Sequence, residues 1–191
     1  MNTGKRIVAR IVLLLIAVVL LLASNVNTAS ADGAKAIQDW SFGSTHSVLT
    51  SGVALYLKNY TIGKCLVYQQ REYGINLGWT TNCQRNILLV RPPGQSSTIL
   101  QGDMFAIYVN GGGYLRYKSR DYGINLVWSS TPVYEWSITR GIVQGVLYHN
   151  DRLALQNRVA RDYMVYCERK YGINLRWMND CDSGGLGVII D

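Results

Sequence analysis

Two hydrophobic patterns divide the chain. Near its start, Ile11 to Ala23 is an uninterrupted apolar run of 13 residues, preceded by Lys5, Arg6 and Arg10 and followed by the small-residue signal Ala29-Ser30-Ala31. From Trp40 onward the apolar positions fall instead into short runs rich in Tyr and β-branched residues, bounded by Gly, Asn or Pro. The first such runs are Ala54 to Asn59, Lys64 to Gln70, Ile75 to Trp79 and Ile87 to Arg91, with the length and composition of β-strands. No segment after the leader sustains apolar spacing of three and four residues, so no helix is predicted there.

One nonapeptide recurs. Arg71-Glu72-Tyr73-Gly74-Ile75-Asn76-Leu77-Gly78-Trp79 returns as Arg120-Asp121-Tyr122-Gly123-Ile124-Asn125-Leu126-Val127-Trp128 and again as Arg169-Lys170-Tyr171-Gly172-Ile173-Asn174-Leu175-Arg176-Trp177, at intervals of 49 positions. The register extends outward through Tyr68, Tyr117 and Tyr166, through Leu55, Met104 and Leu153, and through Leu57, Ala106 and Leu155. The chain therefore reads as three copies of one four-strand unit. Tyr73, Ile75, Leu77 and Trp79 alternate with Gly74, Asn76 and Gly78, which predicts one bulky face turned to the core. Trp79, Trp128 and Trp177, with Ile75, Ile124 and Ile173, are expected to be core packing that meets around a pseudo-threefold axis. Gly74, Gly123 and Gly172 are expected at a turn whose positive φ excludes a side chain.

Three units of four strands restrict the architecture. A propeller usually needs four or more blades, and an open stack of three units leaves strand edges uncapped. A closed barrel of six strands capped by three hairpins, the β-trefoil, uses all of the roughly twelve strands and leaves no edge. Trp40-Ser41-Phe42 resembles Trp136-Ser137-Ile138, which places the first strand there, and Gly187 to Ile190 is expected to close the barrel beside it. The expected organisation is a signal peptide over 1–31, a tail over 32–38 and one all-β trefoil domain over 39–191, with repeat cores near 54–83, 103–132 and 152–181. Pro92 to Ser97 reads as a surface loop, and Gly111-Gly112-Gly113 as a hairpin turn.

Charge and composition narrow the chemistry. As a helix the 13-residue run reaches only about 20 Å, against roughly 30 Å of membrane hydrocarbon, so it is read as a cleaved secretory leader. Cleavage removes Lys5, Arg6 and Arg10 and lowers the formal charge from +7 to +4. That mild excess, with no basic run, argues against nucleic acid as a partner, and no membrane association is expected after cleavage. The 13 Tyr and 5 Trp stand against 2 Phe, a large supply of rings with both apolar faces and polar edges. His46 and His149 are the only histidines, and no hydrolase, nucleotide or zinc signature is present; neither enzyme activity, metal nor cofactor is expected. Asn59-Tyr60-Thr61 is an N-glycosylation sequon.

Cys65 lies eighteen residues before Cys83, with Gly74-Ile75-Asn76-Leu77-Gly78-Trp79 between them. In this layout, and in threefold periodicity over residues 40–191, the chain resembles the ricin B-type lectin trefoils, whose units carry a Gln-any-Trp signature shortly before a Cys. Leu77, Leu126 and Leu175 stand here at the Gln position, and Val67, Arg116 and Val165 stand where many galactose-binding members place an Asp. The resemblance implies the trefoil fold and carbohydrate binding. Cys83 and Cys181 are the same site in the first and third units, and Cys65 and Cys167 share a strand face. Of three possible connectivities, Cys65 with Cys83 and Cys167 with Cys181 is predicted, in keeping with an exported chain.

Arg71, Arg120 and Arg169 recur beside Tyr73, Tyr122 and Tyr171 and beside Asn76, Asn125 and Asn174. Guanidinium and amide donors next to an aromatic ring suit sugar hydroxyls and apolar sugar faces, so these nine residues are the candidate ligand-binding set, arranged as up to three weak sites. A competing reading has the Asn amides fix turns and the Arg side chains tie the hairpins. The expected function is a secreted carbohydrate-binding module, with glycans or cell-surface polysaccharide as partners. The alternative is a protein-binding trefoil, such as a protease inhibitor or the receptor-binding part of a toxin, acting through the loop from Arg91 to Ile99.

Overall fold

The short β-branched and aromatic runs do form strands. A computed structural model describes residues 38–139 and 145–182, and within them the chain is all-β. The expected leader, all of the tail but its last residue, and the closing segment Gly187 to Ile190 lie outside the described residues. Twelve strands occur among the described residues: β1 (Trp40–Gly43), β2 (Ala54–Asn59), β3 (Lys64–Tyr68), β4 (Leu77–Thr80), β5 (Ile87–Val90), β6 (Ala106–Val109), β7 (Gly113–Tyr117), β8 (Leu126–Ser129), β9 (Trp136–Thr139), β10 (Ala154–Asn157), β11 (Asp162–Tyr166) and β12 (Leu175–Trp177). A single-turn helix, α1 (Met178–Asp182), follows β12 and carries Cys181; alternation along the chain does not predict it.

The strands pair antiparallel in two sheets. The larger runs β4-β3-β2-β5-β6-β7-β8 with β1 beside β2, and the smaller runs β12-β11-β10-β9. Single bridges link the two. Trp40 and Leu153 exchange backbone hydrogen bonds at 3.0 and 2.7 Å, and Phe105 and Trp136 do so at 2.9 and 3.1 Å. A second set joins Val48 to Tyr148, Thr50 to Thr98 and Leu100 to Val146, which gathers the buried side chains Leu49, Ile99 and Leu147. Trp40 and Trp136 anchor the interior: both are fully buried, and each indole N–H donates to a carbonyl, Met164 at 2.6 Å and Leu115 at 2.9 Å. Each buried large side chain contributes roughly 1.5–3 kcal/mol relative to exposure.

Three details depart from simple alternation. β3 stops at Tyr68, not Gln70, and β4 begins at Leu77, not Ile75, because the intervening chain bends tightly: the Leu77 N–H donates to the Ile75 carbonyl at 2.7 Å. The constant 49-residue register also slips once. Leu55 pairs with Ile87 and Leu153 with Trp40, but Phe105, not Met104, pairs with Trp136. The slip is restored by the turn at Asn110-Gly111-Gly112, one residue shorter than Tyr60–Gly63 and Arg158–Arg161. Gly111 and Gly113 there take φ of 90° and 108°, so glycines make the short turn possible. Finally, the recurring tryptophans do not meet one another. Trp79 stacks on Trp40 at 6.0 Å and Trp177 on Trp136 at 6.3 Å, while Trp79 and Trp128 stay half-buried. All three still pack on the core, Trp177 within it and Trp79 and Trp128 against it.

Two buried carboxylates tie strand ends together. Asp39 Oδ2 accepts from Asn59 Nδ2 at 2.6 Å and from the Tyr166 N–H at 3.3 Å, and its Oδ1 accepts from the Thr61 N–H at 3.0 Å. Glu135 Oε1 accepts from Asn157 Nδ2 at 2.9 Å and from the Tyr117 N–H. Leaving such buried donors unpaired costs about 1–3 kcal/mol each. The sequon is therefore closed by the fold: Asn59 is 0% exposed and the amide nitrogen that would carry a glycan is bonded to Asp39. Folded chain secreted from a eukaryotic host is expected to show no mass added at Asn59. A glycan found there in disulfide-bonded material would mean that the Asp39–Asn59 pair is not formed.

Cys65 is bonded to Cys83 and Cys167 to Cys181, the pairing expected from their spacing. Closing loops of 18 and 14 residues stabilises by roughly 3 kcal/mol each in the chain-entropy account.

Candidate functional site

The site forms at the bends that interrupt alternation. Between β3 and β4 the Asn76 side-chain oxygen accepts the Arg71 N–H at 3.1 Å, which closes the loop from Arg71 to Asn76. The same bond recurs from Arg120 to Asn125 at 3.1 Å and from Arg169 to Asn174 at 3.2 Å. Inside each loop Gly74, Gly123 and Gly172 take φ of 80°, 78° and 79°, a conformation that L side chains rarely adopt. Ile75, Ile124 and Ile173 then turn inward and are buried. The preceding tyrosine turns outward, and Tyr73, Tyr122 and Tyr171 are 56, 68 and 49% exposed. Tyr73 therefore does not share the core face with Ile75 and Leu77: the positive-φ glycine reverses the alternation that would have buried it.

The three loop tips converge. A Cβ added to Gly123 would lie 3.4 Å from the Gly74 Cα, and one added to Gly74 would lie 3.8 Å from the Gly172 Cα. Tyr73, Gly74, Tyr122, Gly123, Tyr171 and Gly172 line one pocket of about 440 Å³, within the size range of small-molecule sites. The Tyr73 and Tyr171 rings lie 6.0 Å apart, tilted by 56°. Lys170 places its ammonium 5.3 Å from the centre of the Tyr171 ring. Three exposed aromatic side chains are thus gathered around one concave surface.

The nine candidate residues thus divide by role. The tyrosines line the pocket, whereas the arginine and asparagine side chains hold the loops. Arg71 donates from Nε to the Leu77 carbonyl and from Nη1 to the Gly172 carbonyl of another loop at 2.9 Å. Arg120 and Arg169 donate to the Leu126 and Leu175 carbonyls at 3.1 and 3.4 Å. Asn76 and Asn174 further reach the Tyr68 and Tyr166 hydroxyls at 3.4 and 3.3 Å. The pocket glycines were legible as turn residues but not as walls, since nothing in a single repeat says that three turns meet.

Arg71 ties two loops, which makes a testable ordering against Arg120. Arg71→Ala is expected to lower stability by about 2 kcal/mol and Arg120→Ala by about 1 kcal/mol, from the loss of charge-assisted hydrogen bonds. Urea denaturation of both variants checks this; equal losses, or none, would remove the inter-loop tie as a stabilising contact.

No group of three or more His, Cys, Asp or Glu placed to hold a metal ion occurs among the described residues. No helix among them is long and apolar enough to cross a membrane. Comparison with known proteins yields no matching family model, no matching curated protein and no matching solved structure.

Proposed function

We propose that the chain is a secreted β-trefoil that binds carbohydrate, with the convergent tyrosine pocket as its ligand site. The trefoil reading is supported by the order of strand contacts, β1-β2-β5-β6-β9-β10 and back to β1 through the Leu153 bridge, with β3/β4, β7/β8 and β11/β12 left as three hairpins. It is further supported by a cyclic set of ring contacts. Tyr68 packs on Trp128, Tyr117 on Trp177 and Tyr166 on Trp79, at 5.9, 5.8 and 6.2 Å, so each unit leans on the next. Two disulfides are compatible with an extracellular protein, and the basic leader with its small-residue cleavage signal supports export.

The observation that carries the functional reading is the meeting of Tyr73, Tyr122 and Tyr171 around one concave surface. Phenol rings present apolar faces to the C–H faces of a pyranose and hydroxyls to its edge. With Arg and Asn engaged in the loops, the binding unit is one shared site per chain and not three separate ones. A glycan array followed by isothermal titration tests this: a bound glycan at a stoichiometry near one supports the reading, and a stoichiometry near three returns the sites to the individual repeats. A site this open is expected to bind weakly, near millimolar or about 4 kcal/mol, with avidity supplied by polyvalent surfaces.

One observation favours the protein-binding alternative. Arg91 braces the loop Pro92 to Ser97 by donating to the Ser96 and Thr98 carbonyls at 2.9 and 2.8 Å and to Gln95 at 2.6 Å, and it pairs with Asp103 at 3.0 Å. A braced, exposed loop is pre-organised for a protein partner. Deleting Pro93 to Ser96 separates the readings, because glycan binding at the tyrosine pocket survives that deletion.

A further inference from the structure

The tyrosine pocket has walls that attract positive charge, and the residues that precede its tyrosines in the chain differ in charge. Its lining consists of three phenol rings and three glycines, with no arginine, lysine or carboxylate among them. Aromatic faces are electron-rich and attract ammonium groups within about 6 Å of the ring centre. The chain already contains one such contact, Lys170 Nζ at 5.3 Å from the centre of the Tyr171 ring. The residue before each pocket tyrosine is exposed and differs between the repeats: Glu72 beside Tyr73, Asp121 beside Tyr122 and Lys170 beside Tyr171. Among the described residues neither Glu72 nor Asp121 makes a salt bridge. Two of the three pocket tyrosines are therefore preceded in the chain by an exposed acid outside any salt bridge, while the third has the chain's own cation at its ring.

We infer that the pocket is selective for an organic ammonium group, carried on an apolar or pyranose frame, with Tyr73, Tyr122 and Tyr171 as its cage and Glu72 and Asp121 as its counter-charges. The inference rests on the reading that this pocket is the ligand site, and adds the charge of the ligand. A neutral sugar could donate hydroxyl hydrogen bonds to the carboxylates but would gain nothing from their charge. An anion would meet two like charges and electron-rich walls. A cation gains from both. Lys170 sits on the Tyr171 ring as a competitor, so it weakens the site for a cationic ligand and turns the opening toward Tyr73 and Tyr122. An amino sugar with a free amine and a quaternary ammonium head group share this chemistry.

Titration calorimetry of the intact secreted chain with matched probes separates the possibilities. The cationic probes are glucosamine and choline; their neutral counterparts are N-acetylglucosamine and 3,3-dimethylbutanol. At least one cationic probe is expected to bind about tenfold more tightly than its counterpart, an advantage that shrinks as salt is raised. Glucosamine alone showing the advantage identifies an amino sugar, and choline alone a quaternary head group. Glu72→Gln with Asp121→Asn should remove most of the advantage, and Lys170→Glu should enlarge it several-fold; neither change touches the pocket lining. If cationic and neutral probes bind equally, the charge selectivity is wrong while the carbohydrate site stands. If no probe and no arrayed glycan binds, the pocket itself is not the site and both readings fall.

Discussion

Tyr122→Ala is expected to weaken ligand binding about tenfold while leaving the unfolding free energy within about 0.5 kcal/mol of the parent chain. The reasoning starts from exposure. Tyr122 is the most exposed of the three pocket tyrosines, at 68%, so its ring contributes little to the core that holds the loop. Its truncation leaves Gly123 at φ 78° and Ile124 buried, and the Arg120–Asn125 bond uses backbone and amide atoms that the substitution does not reach. One aromatic face in a binding site is worth roughly 0.5–1.5 kcal/mol beyond its buried area, and with that area the loss comes to about a factor of ten. Replacing Tyr73 and Tyr171 as well is expected to abolish binding to any arrayed glycan. Tyr73→Ala should also cost slightly more stability than Tyr122→Ala, because Tyr73 packs against Tyr171 at 6.0 Å. Calorimetry with whichever glycan the array returns, run beside thermal melts, gives both numbers. A variant that melts several degrees lower and still binds would reverse the assignment, making the tyrosines structural and the site elsewhere.

The contrast with the arginines shows which parts of this site a sequence exposes. Recurrence at 49 residues picks out Arg71, Tyr73, Gly74, Asn76 and their counterparts with equal weight, because repetition reports only that a residue matters to every unit. It does not say whether the residue faces a ligand or a neighbouring carbonyl. Burial and hydrogen bonding decide that. Arg71 spends its donors on Leu77 and Gly172, whereas the tyrosine rings project from the same loops without being buried. The glycines were legible as positive-φ positions, and they have those angles. That the three glycines also come together at one point depends on contacts about 50 and 100 residues apart that no local pattern encodes.

Strand positions were more legible than strand ends. Ala54 to Asn59 is recovered without change, since its apolar residues alternate cleanly between Leu55 and Leu57, both fully buried. The neighbouring runs were overextended because Ile75 and Tyr73 keep an alternating pattern through a bend that a glycine makes. The buried acids escaped notice for a different reason. Asp39 and Glu135 precede Trp40 and Trp136, but the corresponding residue before Ile87 is Asn86, so the charge does not recur even though the position does. The signal that could have found them is the pairing with Asn59 and Asn157, each at the end of its strand.

The largest effect on stability is expected at the junction between the two sheets. Trp40 is fully buried, exchanges backbone hydrogen bonds with Leu153, donates its indole N–H to the Met164 carbonyl at 2.6 Å and stacks on Trp79 at 6.0 Å. It thus joins the first strand of the larger sheet to residues that precede and follow β10 in the smaller one. Trp40→Ala is expected to destabilise by about 3–5 kcal/mol, the usual range for truncating a large core aromatic. That is a large fraction of the roughly 5–15 kcal/mol available to a domain. Trp136→Ala should cost a similar amount, since Trp136 bridges Phe105 and donates to Leu115 at 2.9 Å. The pattern of the loss carries more information than its size. If the strands close into one barrel, every sheet depends on both junctions, and hydrogen exchange in the Trp40→Ala chain should accelerate together in β1, β5 and β10. If β9 to β12 keep the protection of the parent chain while only β1 frays, the two sheets are separate cooperative units and the trefoil closure is lost with them. A single denaturation transition in both tryptophan variants is the outcome that a closed ring of strands requires.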